Sequence, residues 1–289
     1  MAISEARDAA ALPQSARPRA AVSKLFWLAA GWIALVFLAT SLANVLPLPD
    51  PTRMELLDKR RPPNATHWLG TDGLGRDMLS RLIHGARISL TVGILAPLIG
   101  LIIGGALGMS AGYFRRSAET VITGAVDVLL AFPPLVLALA VTAYLGQTVA
   151  NLTWVIGVLS IPAFTRVARA ATLSLAEREF ILAARAAGAS ELRILVRELL
   201  PNVILPLLAF FLLAVAVTIV VEGALSFLGL GVPPPAPSWG SMIGEGRESL
   251  EVAPRIAFLP AMAMFLTVLA FNIVGDTLRA ITDPRQTAL

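Results

Sequence analysis

The chain is predicted to be an all-α, polytopic membrane protein with six transmembrane helices, and three observations carry that reading. More than half of its 289 residues are hydrophobic (56%) and only 15% are charged. A soluble domain of this length needs far more polar surface. The apolar residues fall into segments of about 20, the length that crosses a bilayer. One stretch alone, residues 177–201, combines helical amphipathicity with dense Arg/Glu charge.

Residues 1–24 are rich in Ala, Pro and Arg and lack apolar periodicity, so a disordered tail is expected there. Residues 25–46 make the first span; they are too long for the h-region of a cleaved signal peptide, which is roughly 7–15 residues. Residues 47–87 are polar, with Pro- and Gly-rich turns, and read as an external loop. Residues 88–289 hold the rest of the transmembrane domain, with spans at 88–112, 119–145, 150–168, 203–230 and 256–278. Six spans put both termini on one side of the membrane. Basic residues favour the cytoplasm, and the arginines from Arg166 to Arg197, with Arg115, Arg116, Arg279 and Arg285, place both termini there. The external loop opposes this assignment, because it also carries Arg53, Lys59, Arg60, Arg61, Arg76, Arg81 and Arg87.

Within span two, Gly100, Gly104, Gly108 and Gly112 recur every fourth residue, a face that allows close backbone approach. It serves packing within the chain or contact with a second subunit. Prolines interrupt several spans: Pro97, Pro133, Pro134, Pro162, Pro206 and Pro260. Such breaks are tolerated where neighbours or a cavity satisfy the freed backbone. Near 232–254, the prolines ahead of Ser238 and Trp239 feed a short amphipathic helix capped by Ser238.

The stretch 177–201 splits into two helices at Gly188. Phe180, Ile181, Ala184 and Ala187 share helical spacing before it, and Leu192, Leu195, Val196 and Leu199 share it afterwards. Ser190 caps the second helix, and Pro201 is expected to stop it. A hairpin half apolar and half charged, hung between two spans, is shaped for a groove on another protein.

Chemistry within the chain finds little support. There is no cysteine, which removes thiolate catalysis and disulfides. His67 and His84 lack ligand spacing, so no metal site is expected. The Gly-rich stretch Thr71–Asp77 lacks the Gly-Lys-Ser/Thr ending of a P-loop. No catalytic residue is expected, nor a role for nucleic acid. Three acids lie in or near spans, Asp127, Glu222 and Asp276. Intramembrane carboxylates are functional candidates by default, but these are scattered in depth, and capping or interhelical hydrogen bonds compete with a pathway role.

The pattern Ala183-Ala184, then Gly188, then Leu200-Pro201 resembles the EAA loop of ABC importer permeases. Four further stretches, in order, resemble the second permease subunit of dipeptide/oligopeptide/nickel importers. They are His67 to Asp77 running on to Leu90, Asp127 to Pro133, Glu222 to Gly231 with Pro237 to Gly240, and Asn272 to Arg279 ending at Asp283 to Arg285. The resemblance implies the type I ABC importer permease fold and a subunit of an ATP-driven importer for dipeptides or oligopeptides in a bacterial inner membrane. It implies ATPase docking through Phe180, Leu182, Ala183, Ala184, Arg185, Gly188, Ala189, Arg193, Leu200 and Pro201. It also implies four partners: a related permease subunit forming a heterodimer, two cytoplasmic ATPases that bind ATP and Mg, and an extracytoplasmic binding protein. Membrane lipid surrounds the spans, and the chain itself needs no cofactor. The resemblance also implies that the external loop at 232–254 forms part of the external gate beneath the binding protein. Two positions depart from the pattern: Leu182 stands where the motif has Glu, and Glu198 where it has a polar or basic residue. A nickel or other small-solute permease is an alternative, as is a secondary transporter working without an ATPase.

Overall fold

A computed structural model describes residues 23–282, and among these every regular element is a helix. The expected tail over 1–24 therefore lies outside the described residues, except that Ser23 accepts a hydrogen bond from the Phe26 amide and caps the first helix. The segment from Asp283 to Arg285 is also outside them.

Helix α1 spans Lys24–Leu42, α2 Met78–Phe114, α5 Val149–Leu175, α7 Glu191–Phe227 and α9 Arg255–Thr282; each is long and apolar enough to cross a membrane. The expected span at 119–145 is instead a bent pair, α3 (Arg116–Leu130) and α4 (Pro134–Leu145), which meet at 78°. The cause is local. Pro133 is extended, with ψ 119°, and a residue preceding a proline is kept out of the helical region. Two short helices complete the set: α6, Glu179–Ala186, and α8, Trp239–Gly246.

Two long helices overrun the bilayer. At 37 residues each, α2 and α7 reach about 55 Å, against a hydrocarbon core of about 30 Å. Residues 78–87, read from sequence as loop, are the first turns of α2, started by Asp77, whose carboxylate accepts from the Ser80 amide at 2.7 Å. At the other end, α7 does not stop at Pro201. Ile194–Leu199 adopt a π-helical turn, whose wider spacing carries the chain past a residue that has no N–H to give. Asn202 Nδ2 then donates to the Glu198 carbonyl at 2.7 Å.

The centre of the bundle is α2 packed on α5 and α7. Gly100, Gly104, Gly108 and Gly112 all face α5. A Cβ on Gly104 would sit 2.6 Å from the Ile161 carbonyl oxygen, and one on Gly112 would sit 2.8 Å from Thr172 Cβ. The glycine stripe therefore serves packing within the chain, where backbones touch at a distance no larger residue allows. Farther along, Val92 and Ala96 of α2 meet Leu152, Val155 and Ile156 of α5. Helix α1 joins from outside through Trp32, whose indole N–H donates to Thr267 Oγ1 of α9 at 3.0 Å. Its outer face leaves Trp27 and Leu28 about two-thirds exposed, a surface suited to lipid.

Candidate coupling hairpin

One end of the bundle carries α6, Gly188 and the start of α7. Gly188 has φ +78°, and around it the chain closes a left-handed helix stop. The Ala189 amide donates to the Ala184 carbonyl at 3.1 Å and the Gly188 amide to the Arg185 carbonyl at 2.9 Å. That pair of bonds is the Schellman pattern, which a glycine completes at least cost. Ser190 Oγ then accepts from the Arg193 amide at 3.4 Å and caps α7.

The hairpin has an inner and an outer face. Ile181, Ile194 and Leu199 are fully buried against Met109 and Tyr113 of α2, Phe164 and Ala168 of α5, and Val203 and Leu207 of α7. Leu199 thus faces the chain's own core, contrary to its grouping with Leu192 on the partner face. Outward stand Phe180, Leu182, Leu192, Val196 and Leu200, all exposed. Ala183, Arg185, Gly188 and Arg193 are also exposed, while Ala184 and Ala189 are half-buried against the core; Pro201 is exposed within α7. Polar ties fix the angle. Tyr113 donates its hydroxyl to the Glu191 carboxylate, and the Arg185 guanidinium lies 5.1 Å over the Tyr113 ring. Arg115 pairs with Glu177 at 2.9 Å, and Arg169 Nε donates to Glu119 at 3.0 Å. A braced element therefore presents apolar side chains that nothing among the described residues covers.

Residues 104–288 match the family described as binding-protein-dependent transport system inner membrane component. The chain belongs to this family. Among its relatives are the glutathione transport system permease protein GsiD of Pectobacterium atrosepticum, 45% identical over 77% of this chain and 74% of that protein, and GsiD of Escherichia coli O157:H7, 44% identical over the same shares. A chain of the MetNI methionine ABC transporter, solved in inward-facing conformations, shares the fold. Its TM-score is 0.58 at 19% identity, covering 71% of this chain and 97% of that one. The fold is that of a type I ABC importer permease, and the chain is a transport subunit of an inner membrane that works with ATPase and substrate-binding partners.

The three candidate acids of this inner membrane component are not brought together. Glu222 is fully buried at the opposite end of α7, where Ser89 Oγ donates to it at 2.8 Å and Ser226 Oγ at 2.7 Å. Ser89 in turn accepts from the Trp239 amide at 3.3 Å, so Glu222 joins α2, α7 and α8. Asp127 is exposed and takes Arg166 Nη2 at 2.8 Å. Asp276 is exposed on α9. These positions suit helix fastening, and no two of the acids share a site.

Sequence reasoning missed the charge network at the Glu222 end. Asp72, Arg76 and Arg81 have side chains 3%, 2% and 1% exposed, and each arginine pairs with both Asp72 and Glu245 of α8. His67 Nδ1 lies 2.9 Å from Asp77 Oδ2. Glu55, Asp58 and His67 bring one ligand atom each within 4.8 Å of one another, but Arg53 and Arg61 already pair with the two carboxylates at 3.0 Å. The signal for the network was present in the density of Asp and Arg between 72 and 81. Its fourth member lies more than 160 residues away, beyond any local pattern.

Proposed function

We propose that the chain is one of two related permease subunits of an ATP-driven importer of short peptides, and that the hairpin around Gly188 seats in a cleft of an ATPase subunit. The carrying observation is the hairpin's division of labour. Its inner residues root it in the core shared by α2, α5 and α7, while Phe180, Leu182, Leu192 and Val196 are exposed among the described residues. A rigid, two-sided element of this kind transmits force in both directions. Movement of the ATPase pair would reach α2 through Tyr113 and α7 through its π-helical start. The ATP and Mg belong to the ATPases, with two such subunits, one second permease and one extracytoplasmic binding protein completing the assembly. The peptide assignment is supported by the relatives named for glutathione transport.

The hairpin end faces the cytoplasm with both termini, and residues 47–77 face outward. What supports this orientation against the basic loop is the fate of its charges. Arg76 and Arg81 are buried in the ion network, Arg53 and Arg61 pair with Glu55 and Asp58, and Arg87 donates to the Thr40 carbonyl at 3.0 Å. Charges neutralised within the fold weigh less in setting topology than free ones. Single cysteines in this Cys-free chain test it with an impermeant thiol reagent on intact cells. Labelling at position 64 with protection at 190 is the expected pattern, and the reverse overturns the assignment.

A further inference from the structure

The ion network lies at the end of the bundle away from the hairpin, and its chemistry is unlike the rest of the protein. Arg76 donates from Nε to Asp72 Oδ2 at 2.6 Å and from Nη2 to Glu245 Oε2 at 2.5 Å. Arg81 donates from Nη2 to the same Glu245 oxygen at 3.0 Å, with its Nε 3.4 Å from Asp72 Oδ2. Two guanidinium groups and two carboxylates make a neutral set, which is what allows two arginines to be buried at all. Three members come from residues 72–81. Only Glu245 comes from α8, and its side chain is one-third exposed.

The same helix is tied to α2 at its other end. Trp239 donates its indole N–H to the Leu82 carbonyl at 3.0 Å and its amide to Ser89. Met242 packs with Met78 between these two polar ties. Helix α8 packs closely on α7 and α9, Gly240 against Gly223 and Gly246 against Ala257, while its bonds to Arg81, Leu82 and Ser89 run to α2. Charge removal at Glu245 would leave both guanidinium groups sharing Asp72 alone, and the α8 end would lose its strongest tie.

We propose that Arg76 and Arg81 are positioning residues that hold α8 to the first turns of α2 through Glu245, and that this fastening keeps ATP hydrolysis dependent on the binding protein. The second half rests on the importer reading above. Helix α8 packs on α2, α7 and α9 at the end of the bundle opposite the hairpin, where a partner delivering solute would approach. While fastened, α8 follows α2, and only a partner seated at that end shifts both together. Unfastened, the Glu245 end of α8 moves without α2 while Trp239 still holds the other end, and the requirement for the partner weakens.

The test uses the complete importer in proteoliposomes, with nitroxides on single cysteines introduced as Ile83→Cys on α2 and Glu248→Cys beyond α8. The unaltered network should give a narrow distance distribution, and Glu245→Gln a broadened one. The ratio of hydrolysis with binding protein to hydrolysis without it should fall toward one in Glu245→Gln. A second variant, Glu245→Gln with Arg81→Gln, removes one charge of each sign and should recover both readouts in part. A role in filling space alone would instead make the double variant worse. An unchanged distribution in Glu245→Gln, an unchanged ratio despite broadening, or a double variant worse than the single one overturns the proposal. Failure of the importer reading is distinguishable, because wild-type hydrolysis would then not respond to the binding protein at all.

Discussion

Replacing Gly188 with valine isolates the hairpin's geometry from its surface. An added Cβ at Gly188 meets nothing within 4 Å, so the substitution makes no clash with neighbouring groups. What it does meet is the backbone: φ is +78°, a conformation that costs an L-residue about 1–2 kcal/mol and a β-branched one more. Relaxing to negative φ would break the two bonds closing the turn, Ala189 to Ala184 and Gly188 to Arg185. With a net cost near 2 kcal/mol, the properly formed turn becomes about 30-fold less favoured. The inner anchors oppose unfolding, since burying Ile181 and Ile194 contributes about 1.5–3 kcal/mol each. The turn should therefore distort while the bundle stands. In the reconstituted complex, Gly188→Val is expected to reach near-normal membrane abundance but to lose ATPase retention and substrate-stimulated hydrolysis. Gly188→Ala should show a milder form of the same loss. Wild-type coupling in Gly188→Val, measured at equal abundance, would refute the reasoning.

Five other substitutions, at four positions, separate the parts of the account. Phe180→Asp should leave abundance unchanged and weaken ATPase retention in pull-down, whereas Ile194→Ala, which empties a fully buried position, should cost about 2–5 kcal/mol and lower abundance itself. Gly108→Ala would drive a methyl into the Thr165 carbonyl of α5, so quantitative blotting of membranes should show reduced accumulation. Glu222→Gln keeps a carbonyl oxygen and an amide in place of the carboxylate and should preserve transport. Glu222→Ala strands Ser89 and Ser226 without an acceptor, costs about 1–3 kcal/mol, and should lower the temperature at which purified complexes aggregate. Loss of uptake in Glu222→Gln at normal stability would instead favour a pathway role.

The spans and the hairpin were legible because each depends on residues close in sequence. Apolar runs near 20 residues, Gly188 and the cap at Ser190 all act within a turn or two. The continuation of α7 through Pro201 was not legible, because a π-helical turn is chosen by how Ile194 and Leu199 pack, and a proline alone reads as a stop. The same limit hid the partition of hairpin leucines. Leu192 and Leu199 share a helical face in the sequence pattern, yet the extra residue in the π turn rotates Leu199 inward. The bend at Pro133 was written in the chain as a proline pair, but the mutual angle of α3 and α4 was not. Least legible was the network at Asp72, Arg76 and Arg81. Buried arginines run against composition rules, and their compensating Glu245 is distant in sequence. Intramembrane position made Glu222 a candidate for function, while its hydrogen bonds to serines on two helices suit a fastening role.

The central claim is that the exposed apolar side of the hairpin touches an ATPase. A photoreactive amino acid in place of Leu192, 70% exposed and at the outer tip, tests it in the assembled importer. Irradiation should yield an adduct with the ATPase subunit, and a probe at buried Ile194 should yield none. Adducts at Leu192 with lipid or with the binding protein alone, in complexes that retain their ATPase, would contradict the account.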